Sequence, residues 1–368
     1  MCRQLHTIVI WLIVAVCAAP PLPAHNRAHH ASHHFLSLDR AEIRAENFDL
    51  LSNPNDPEFI YQGYYIDIGV TAMWARGMTG LASAHPITIA VIDTGAPLSH
   101  PDVIGNLVTG FDFINMTTNT TQDESGDSHG SMVVGVIGGT INNGIGVAGL
   151  AGGDTLSGTT GVRIMPLRVA TDTVIGVSCL DSVQAIDYAR THHADIINIS
   201  YGSSLFCQEE FDAIQRAYDA GLAIVAGAGN DGSSASFYPA AYGSDTNENL
   251  VIAVAGMYAD GTKADESNFG PWVDVSAPFR LIRSTTKTKG YDSSSGTSFS
   301  TPFVSGLLGL LMSNQGWSRD QAIAMLLASA DRMDLVNPSY RGLLGAGRIN
   351  ADRASNTWNP VYLPNLSK

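Results

Sequence analysis

The run Ile87-Thr-Ile-Ala-Val-Ile-Asp93-Thr-Gly95 decides the fold. It is almost continuously apolar and β-branched, and it stops at an acid followed by a glycine. Strands read this way when helices cover both faces of a parallel sheet, because neither face meets water. Residues 195–199, 222–225 and 250–254 have the same character. Helical patterns lie between and after these runs, at 181–192, at 209–220 before Gly221, and at 321–330. Gly221 suits a helix C-terminus, and Ser318-Arg-Asp-Gln321 is a capping box. Alternation of this kind predicts an α/β fold, a three-layer sandwich around a mainly parallel twisted sheet. Ligands of such sheets gather at the carboxyl ends of the strands. Asp93 falls there, one residue past its apolar run.

Two further glycine-rich blocks follow Asp93, namely Asp127-Ser-His129-Gly-Ser131 and Gly296-Thr-Ser298-Phe-Ser-Thr-Pro302. A hydroxyl is a weak nucleophile, so it needs a base to take its proton and a carboxylate to orient that base. Ser298 is therefore the candidate nucleophile, His129 the base and then acid, and Asp93 the group that holds the imidazole. Pro302 is tolerated only near the first turn of a helix opened by Ser298. A lone Ser, His or Asp is usually structural; it is the ordered set that carries the chemistry.

The segments 89–95, 128–135 and 296–306 resemble the three signature blocks of the subtilisin-like serine peptidases, in that family's order Asp, His, Ser. Residues 53–74 and 345–351 resemble the opening and closing of its thermitase-like members, so the resemblance covers 53–355. It implies a serine endopeptidase acting on polypeptides through an acyl-enzyme. It also implies that Asn230, in Ala226-Gly-Ala-Gly-Asn230, binds the developing oxyanion; taken alone, Asn-Asp-Gly is a turn. Ser131, Met132 and Phe303 depart from the family pattern, which has Thr, His and His there. None carries a triad role, which implies repacking behind the site.

The same resemblance extends to calcium. His100-Pro101-Asp102, Asn142-Asn143-Gly-Ile145-Gly-Val147 and Asp56 match a family site. It implies a structural calcium held by Asp56, Asp102, Asn143 and the carbonyls of Ile145 and Val147, the hard oxygens this ion prefers. The bland reading is that Asp102 caps a turn and Asn143 sits in one. For substrate, Ser200-Tyr201-Gly202 resembles the edge strand to which a peptide adds by backbone hydrogen bonds. The resemblance implies that residues 226–229 form the facing wall of the primary pocket and that Phe237 occupies its floor position. An inward ring shortens the pocket; a ring swung to solvent leaves it deep.

Composition sets the frame. The chain has 368 residues, 45% hydrophobic and 15% charged, with a net charge of −14. It can bury a large core, and its charge argues against nucleic acid or anionic membranes as partners. Nothing in it asks for an oligomer, so a monomer is expected. Residues 1–24, with Arg3, an apolar run from Thr7 to Ala19 and small residues before Ala24, read as an export signal. Residues 25–52 carry five histidines between His25 and His34 and read as a pro-segment or linker, or else as a metal-binding tract. The family's pro-domain is longer than this stretch. Residues 356–368 are a short tail. Cys2 and Cys17 leave with the signal, and Cys179 and Cys207 remain as an even pair that favours a disulfide in an oxidising compartment. Asn115 and Asn119 begin glycosylation triplets, which are common by chance. The competing readings are a binding protein on an inactive peptidase fold and a processing protease with one partner substrate.

Overall fold

The computed structural model describes residues 53–82, 86–118, 121–171, 176–243 and 250–356. The expected export signal, the histidine-rich stretch, Asn119 and the tail beyond Asn356 lie outside the described residues. Seven strands build one sheet: β1 (Thr88–Asp93), β2 (Phe111–Asp112), β3 (Arg163–Arg168), β4 (Ile196–Ile199), β5 (Ala223–Gly227), β6 (Ile252–Met257) and β7 (Val275–Pro278). Their order across the sheet is β2-β3-β1-β4-β5-β6-β7, and every pairing is parallel. The hairpin of β8 (Ile282–Thr285) and β9 (Tyr291–Ser294) stands apart from it.

Strand periodicity divides the core in two. Ile89 and Val91 face one side with Ile196, Val225 and Val254, and Ala90 and Ile92 face the other with Ile197, Ile199 and Ile224. On the first side pack α1 (His129–Gly138) and the long α4 (Thr297–Gln315). On the second pack α2 (Cys179–Thr191) and α3 (Gln208–Asp219), through Ala185, Ile186, Ala213 and Ile214. Each wholly buried Ile or Val contributes about 1.5–3 kcal/mol, so the sheet is held by apolar burial on both faces. The helix α5 (Arg319–Ala328) begins with the expected capping box of Ser318 and Gln321.

The expected sheet is present, with element bounds shifted by one to three residues. The strand β3 was not foreseen, since it reads Arg-Ile-Met-Pro-Leu-Arg and a proline argues against an interior strand. Its neighbours in phase, Ile164 and Arg168, offer their carbonyls outward, to the amides of Val108 and Phe113. Pro166 therefore turns its missing N–H to that same outer side, where β2 pairs only from residue 111. The inner side keeps its ladder with β1.

Candidate active site

Asp93 ends β1 and His129 opens α1, and a close approach of backbones brings them together. A Cβ added at Gly130 would lie 2.3 Å from the carbonyl of Gly95, itself at φ +120°, so side chains are excluded where strand end and helix start touch. Asp123 then stitches the region. Its Oδ1 accepts from Ser125 N and Oγ and from Thr94 Oγ1, and its Oδ2 accepts from Ser131 N (2.9 Å) and Oγ (2.7 Å). Ser131 thus earns its place as part of the helix cap. Met132 and Phe303 are buried, Phe303 edge-on against Tyr64 and Tyr65.

Within this frame His129 Nδ1 donates to Asp93 Oδ1 at 2.7 Å, and Thr94 N donates to the same oxygen at 2.7 Å. Burial alone lowers the basicity of an imidazole, yet the adjacent Asp93 carboxylate outweighs it, helped by Asp127 and Asp123, and the pKa of His129 is raised. The other ring nitrogen makes no hydrogen bond among the described residues, and His129 lines a cleft of about 330 Å³ with Asp127, Ser200, Tyr201, Gly202, Asn230, Phe237 and Ser298 among others.

Ser298 lies in the first turn of α4, and the helix treats its carbonyl unusually. Pro302, four residues on, has no N–H to give it. Ser200 Oγ donates to that carbonyl instead (2.8 Å), directed by Asn198 Nδ2 (3.0 Å), whose Oδ1 in turn accepts from Ser305 Oγ (2.8 Å). Ser298 Oγ donates to Ser200 O at 2.8 Å, so it must turn about its Cα–Cβ bond to reach the imidazole. Such looseness is common before substrate binds. Asn198 and Ser305 were missed in the sequence; a proline at four residues beyond the candidate nucleophile was the available signal.

Asn230 follows β5. Its Oδ1 accepts from Thr297 N (2.9 Å) and Thr297 Oγ1 (3.1 Å), which fixes the amide and leaves Nδ2 as a donor. No hydrogen bond from Ser298 N is seen among the described residues, as expected of a first-turn amide. Two unengaged donors thus belong to Asn230 and Ser298, which line the same cleft. Ser200, Tyr201, Gly202 and Phe237 all line the same cleft. A Cβ at Gly202 would lie 2.3 Å from Phe237 Cε1 and one at Gly229 2.9 Å from Cδ1, so the ring stands between the two walls.

The residues expected at calcium also meet. Asp56 accepts from Asn142 N (2.9 Å) and Asn143 N (3.2 Å), and Asp102 from Asn143 Nδ2 (2.8 Å) and Val147 N (2.9 Å). Burial pushes Asp56 up to about 6 and Asp102 up to about 7, against the hydrogen bonds that favour their anions. The carbonyls of Ile145 and Val147 accept no hydrogen bond from the described residues. Cys179 and Cys207 form a disulfide with Cα atoms 6.5 Å apart, joining the starts of α2 and α3.

A parallel sheet with helices on both faces, carrying Asp93, His129 and Ser298 at one end, has the subtilisin-like architecture. The structure of a protease from Pseudoalteromonas arctica superposes with a TM-score of 0.68 over 83% of this chain and 99% of that one, at 24% identity. In sequence, the subtilase family profile matches residues 84–354. Thermitase from Thermoactinomyces vulgaris is 33% identical over 82% of this chain and 98% of its own. A thermophilic serine proteinase from a Bacillus species is 35% identical over 83% of this chain and 70% of its own. The chain belongs to the subtilase family and is a serine endopeptidase.

Proposed function

We propose that Asp93, His129 and Ser298 are the catalytic triad, and that the protein hydrolyses polypeptides through an acyl-enzyme on Ser298. The observation that carries this is the 2.7 Å bond from His129 Nδ1 to Asp93, which commits Nδ1 as donor and leaves Nε2 as the basic atom facing the cleft. His129 takes the proton of Ser298 Oγ as that oxygen bonds to the scissile carbonyl carbon. It then gives the proton to the leaving amine; water repeats the sequence to release the acyl group. Asn230 Nδ2 and Ser298 N are the two donors for the oxyanion. Peptide runs along Ser200-Tyr201-Gly202, with the ring of Phe237 shortening the primary pocket.

Asp56, Asp102, Asn143 and the carbonyls of Ile145 and Val147 would hold calcium. Two buried carboxylates, an amide and two unengaged carbonyls fit a hard cation, which would supply fixed positive charge and no part of the reaction. The leader-like residues 1–24 support export, and the Cys179–Cys207 bridge agrees with an oxidising compartment. No helix among the described residues is long and apolar enough to cross a membrane. Residues 53–355 act as one peptidase unit, a monomer in this reading. A fluorophosphonate probe tests the site: it labels Ser298 if the triad works, and an unlabelled, folded protein means a binding protein on an inactive peptidase fold. Cleavage of casein at many sites excludes a protease dedicated to one partner.

A further inference from the structure

Behind Tyr201, away from the cleft, lies a buried acid that the chemistry above does not use. Glu210 stands in the first turn of α3, in Gln208-Glu-Glu, which reads as a solvated helix start. Glu209 is exposed, but Glu210 is only 7% exposed. Ser182 Oγ, from α2, donates to Glu210 Oε1, and the same hydroxyl lies 2.8 Å from Tyr201 Oη. On the other side Tyr242 Oη is 2.9 Å from Glu210 Oε2 and 3.0 Å from the carbonyl of Cys207, whose N–H it receives at 3.1 Å. One carboxyl group thus joins the cleft wall to the disulfide arm.

The hydrogens can be counted. Four oxygen–oxygen contacts run from Tyr201 to Ser182, to Glu210, to Tyr242, and to the Cys207 carbonyl, and each needs one hydrogen. The three hydroxyls supply three; the fourth comes from a protonated carboxyl. Then Tyr201 donates to Ser182 and Ser182 to Oε1, while the acid donates to Tyr242 and Tyr242 to Cys207. As an anion Glu210 would take both hydroxyl hydrogens and leave Tyr242 Oη 3.0 Å from the Cys207 carbonyl, which Phe211 N also bonds, with no hydrogen between the two oxygens. No ion pair reaches it among the described residues; the phenols of Tyr201 and Tyr242 act on it, Tyr238 lies beyond Tyr242, and its chain neighbour Glu209 is turned to Cys207 Sγ. Asp181 is turned to Ser178. Burial pushes Glu210 above the usual carboxyl range, though its hydrogen bonds to Ser182 and Tyr242 oppose this.

We propose that Glu210 is a positioning residue of the substrate cleft, a neutral acid that holds the wall at Tyr201 and the arm at Cys207 in one register. The inference rests on Tyr201 being a wall of the peptide site. A substrate that extends along Ser200-Tyr201-Gly202 feels the register, and a single-residue ester confined to the primary pocket does not. Ionisation of Glu210 withdraws a hydrogen from the chain, so preference for extended substrates declines as pH rises through its pKa.

The test compares kcat and KM for a tetrapeptide anilide and a single-residue ester with the same P1, across pH. Glu210→Gln keeps one acceptor and one donor, so it retains the preference and loses its alkaline decline. Glu210→Leu breaks the chain, raising KM for the tetrapeptide about tenfold, and Tyr201→Phe added to it causes little further loss, because the two act through one network. A Glu210→Leu protein with unchanged tetrapeptide KM and only a lower Tm would overturn the proposal. So would a Glu210→Gln profile that declines as the wild type does, a readout available even if the leucine variant fails to fold. Fluorophosphonate labelling of the wild type separates the cases: without it the site reading fails, and with it a negative result falls on Glu210 alone.

Discussion

Asp93 and the pair Asp56 and Asp102 are buried carboxylates held against segments far away in sequence, and their surroundings answer the charge differently. Asp93 faces an imidazole that can itself become positive, 2.7 Å away. Asp56 and Asp102 face amides, from Asn142, Asn143 and Val147, and at Asp102 the hydroxyl of Tyr291, none of them a group that becomes positive. A partner that gains and loses a proton suits a place where charge must change during a reaction. A cage of amides and carbonyls around two acids lacks a fixed positive charge, and suits a place where an ion adds stability. Burial acts on both regions, but only in the first does a protein group supply the compensating charge.

The largest effect should come from the first region. Ser298→Ala removes the nucleophile and almost no volume, so turnover should fall on the order of 10⁴–10⁶-fold, the scale measured for triad members in this family, with peptide binding and Tm retained. Near-wild-type hydrolysis by the alanine variant would sink the assignment and with it the contrast drawn above. In the second region the effect is on stability. An ion that binds only the folded chain contributes about 4 kcal/mol at a thousandfold excess over its Kd. Chelation should lower Tm by several degrees and hasten autolysis. If Asp102→Ala melts like wild type in both calcium and chelator, the cage is not a calcium site.

Smaller than either is the effect at the primary pocket. The ring of Phe237 stands between Gly202 and Gly229, which supports small apolar P1 residues over Phe, Tyr or Arg. Phe237→Gly should open the pocket and move preference toward Phe by about 1–3 kcal/mol, roughly ten- to hundredfold in relative kcat/KM. A P1 series in which wild type already prefers Phe to Ala, unchanged by the glycine variant, would refute the filled pocket.

What was legible in the sequence follows how each feature is made. The runs around Ile89, Ile197 and Ile224 announce themselves because both faces are apolar, and Ser318 with Gln321 carries its cap in its spacing. The blocks that carry the proposed triad are local, each within a few residues, so Asp93, His129 and Ser298 can be proposed from the sequence without knowledge of their contacts. The strand Arg163–Arg168 was not, because its proline is tolerated only through the phase of its neighbours. Arg168 is 1% exposed and held by Asp112 and Glu124, which only the folded chain brings to it. Glu210 fails to stand out for the same reason: a glutamate in a first helical turn normally faces water, and its partners Ser182 and Tyr242 come from two other segments.

The smallest effect sharpens the first region alone. The pKa of His129 is raised although burial lowers it, chiefly because of Asp93, with Asp127 and Asp123 adding to the pull. In the proposed mechanism activity requires neutral His129, so the acid limb of kcat/KM reports the pH at which it loses its proton in the free enzyme. Asp127→Asn removes a negative charge that favours the imidazolium, while its amide oxygen can still accept from His129 N as Asp127 Oδ1 does at 3.3 Å. The acid limb should therefore move to lower pH, with the plateau rate little changed. High salt should shrink the difference between the two proteins, since Asp127 is exposed and screened. An acid limb that stays in place, or moves to higher pH, would mean that Asp127 does not act on His129 through charge, leaving Asp93 to hold the imidazolium without its help.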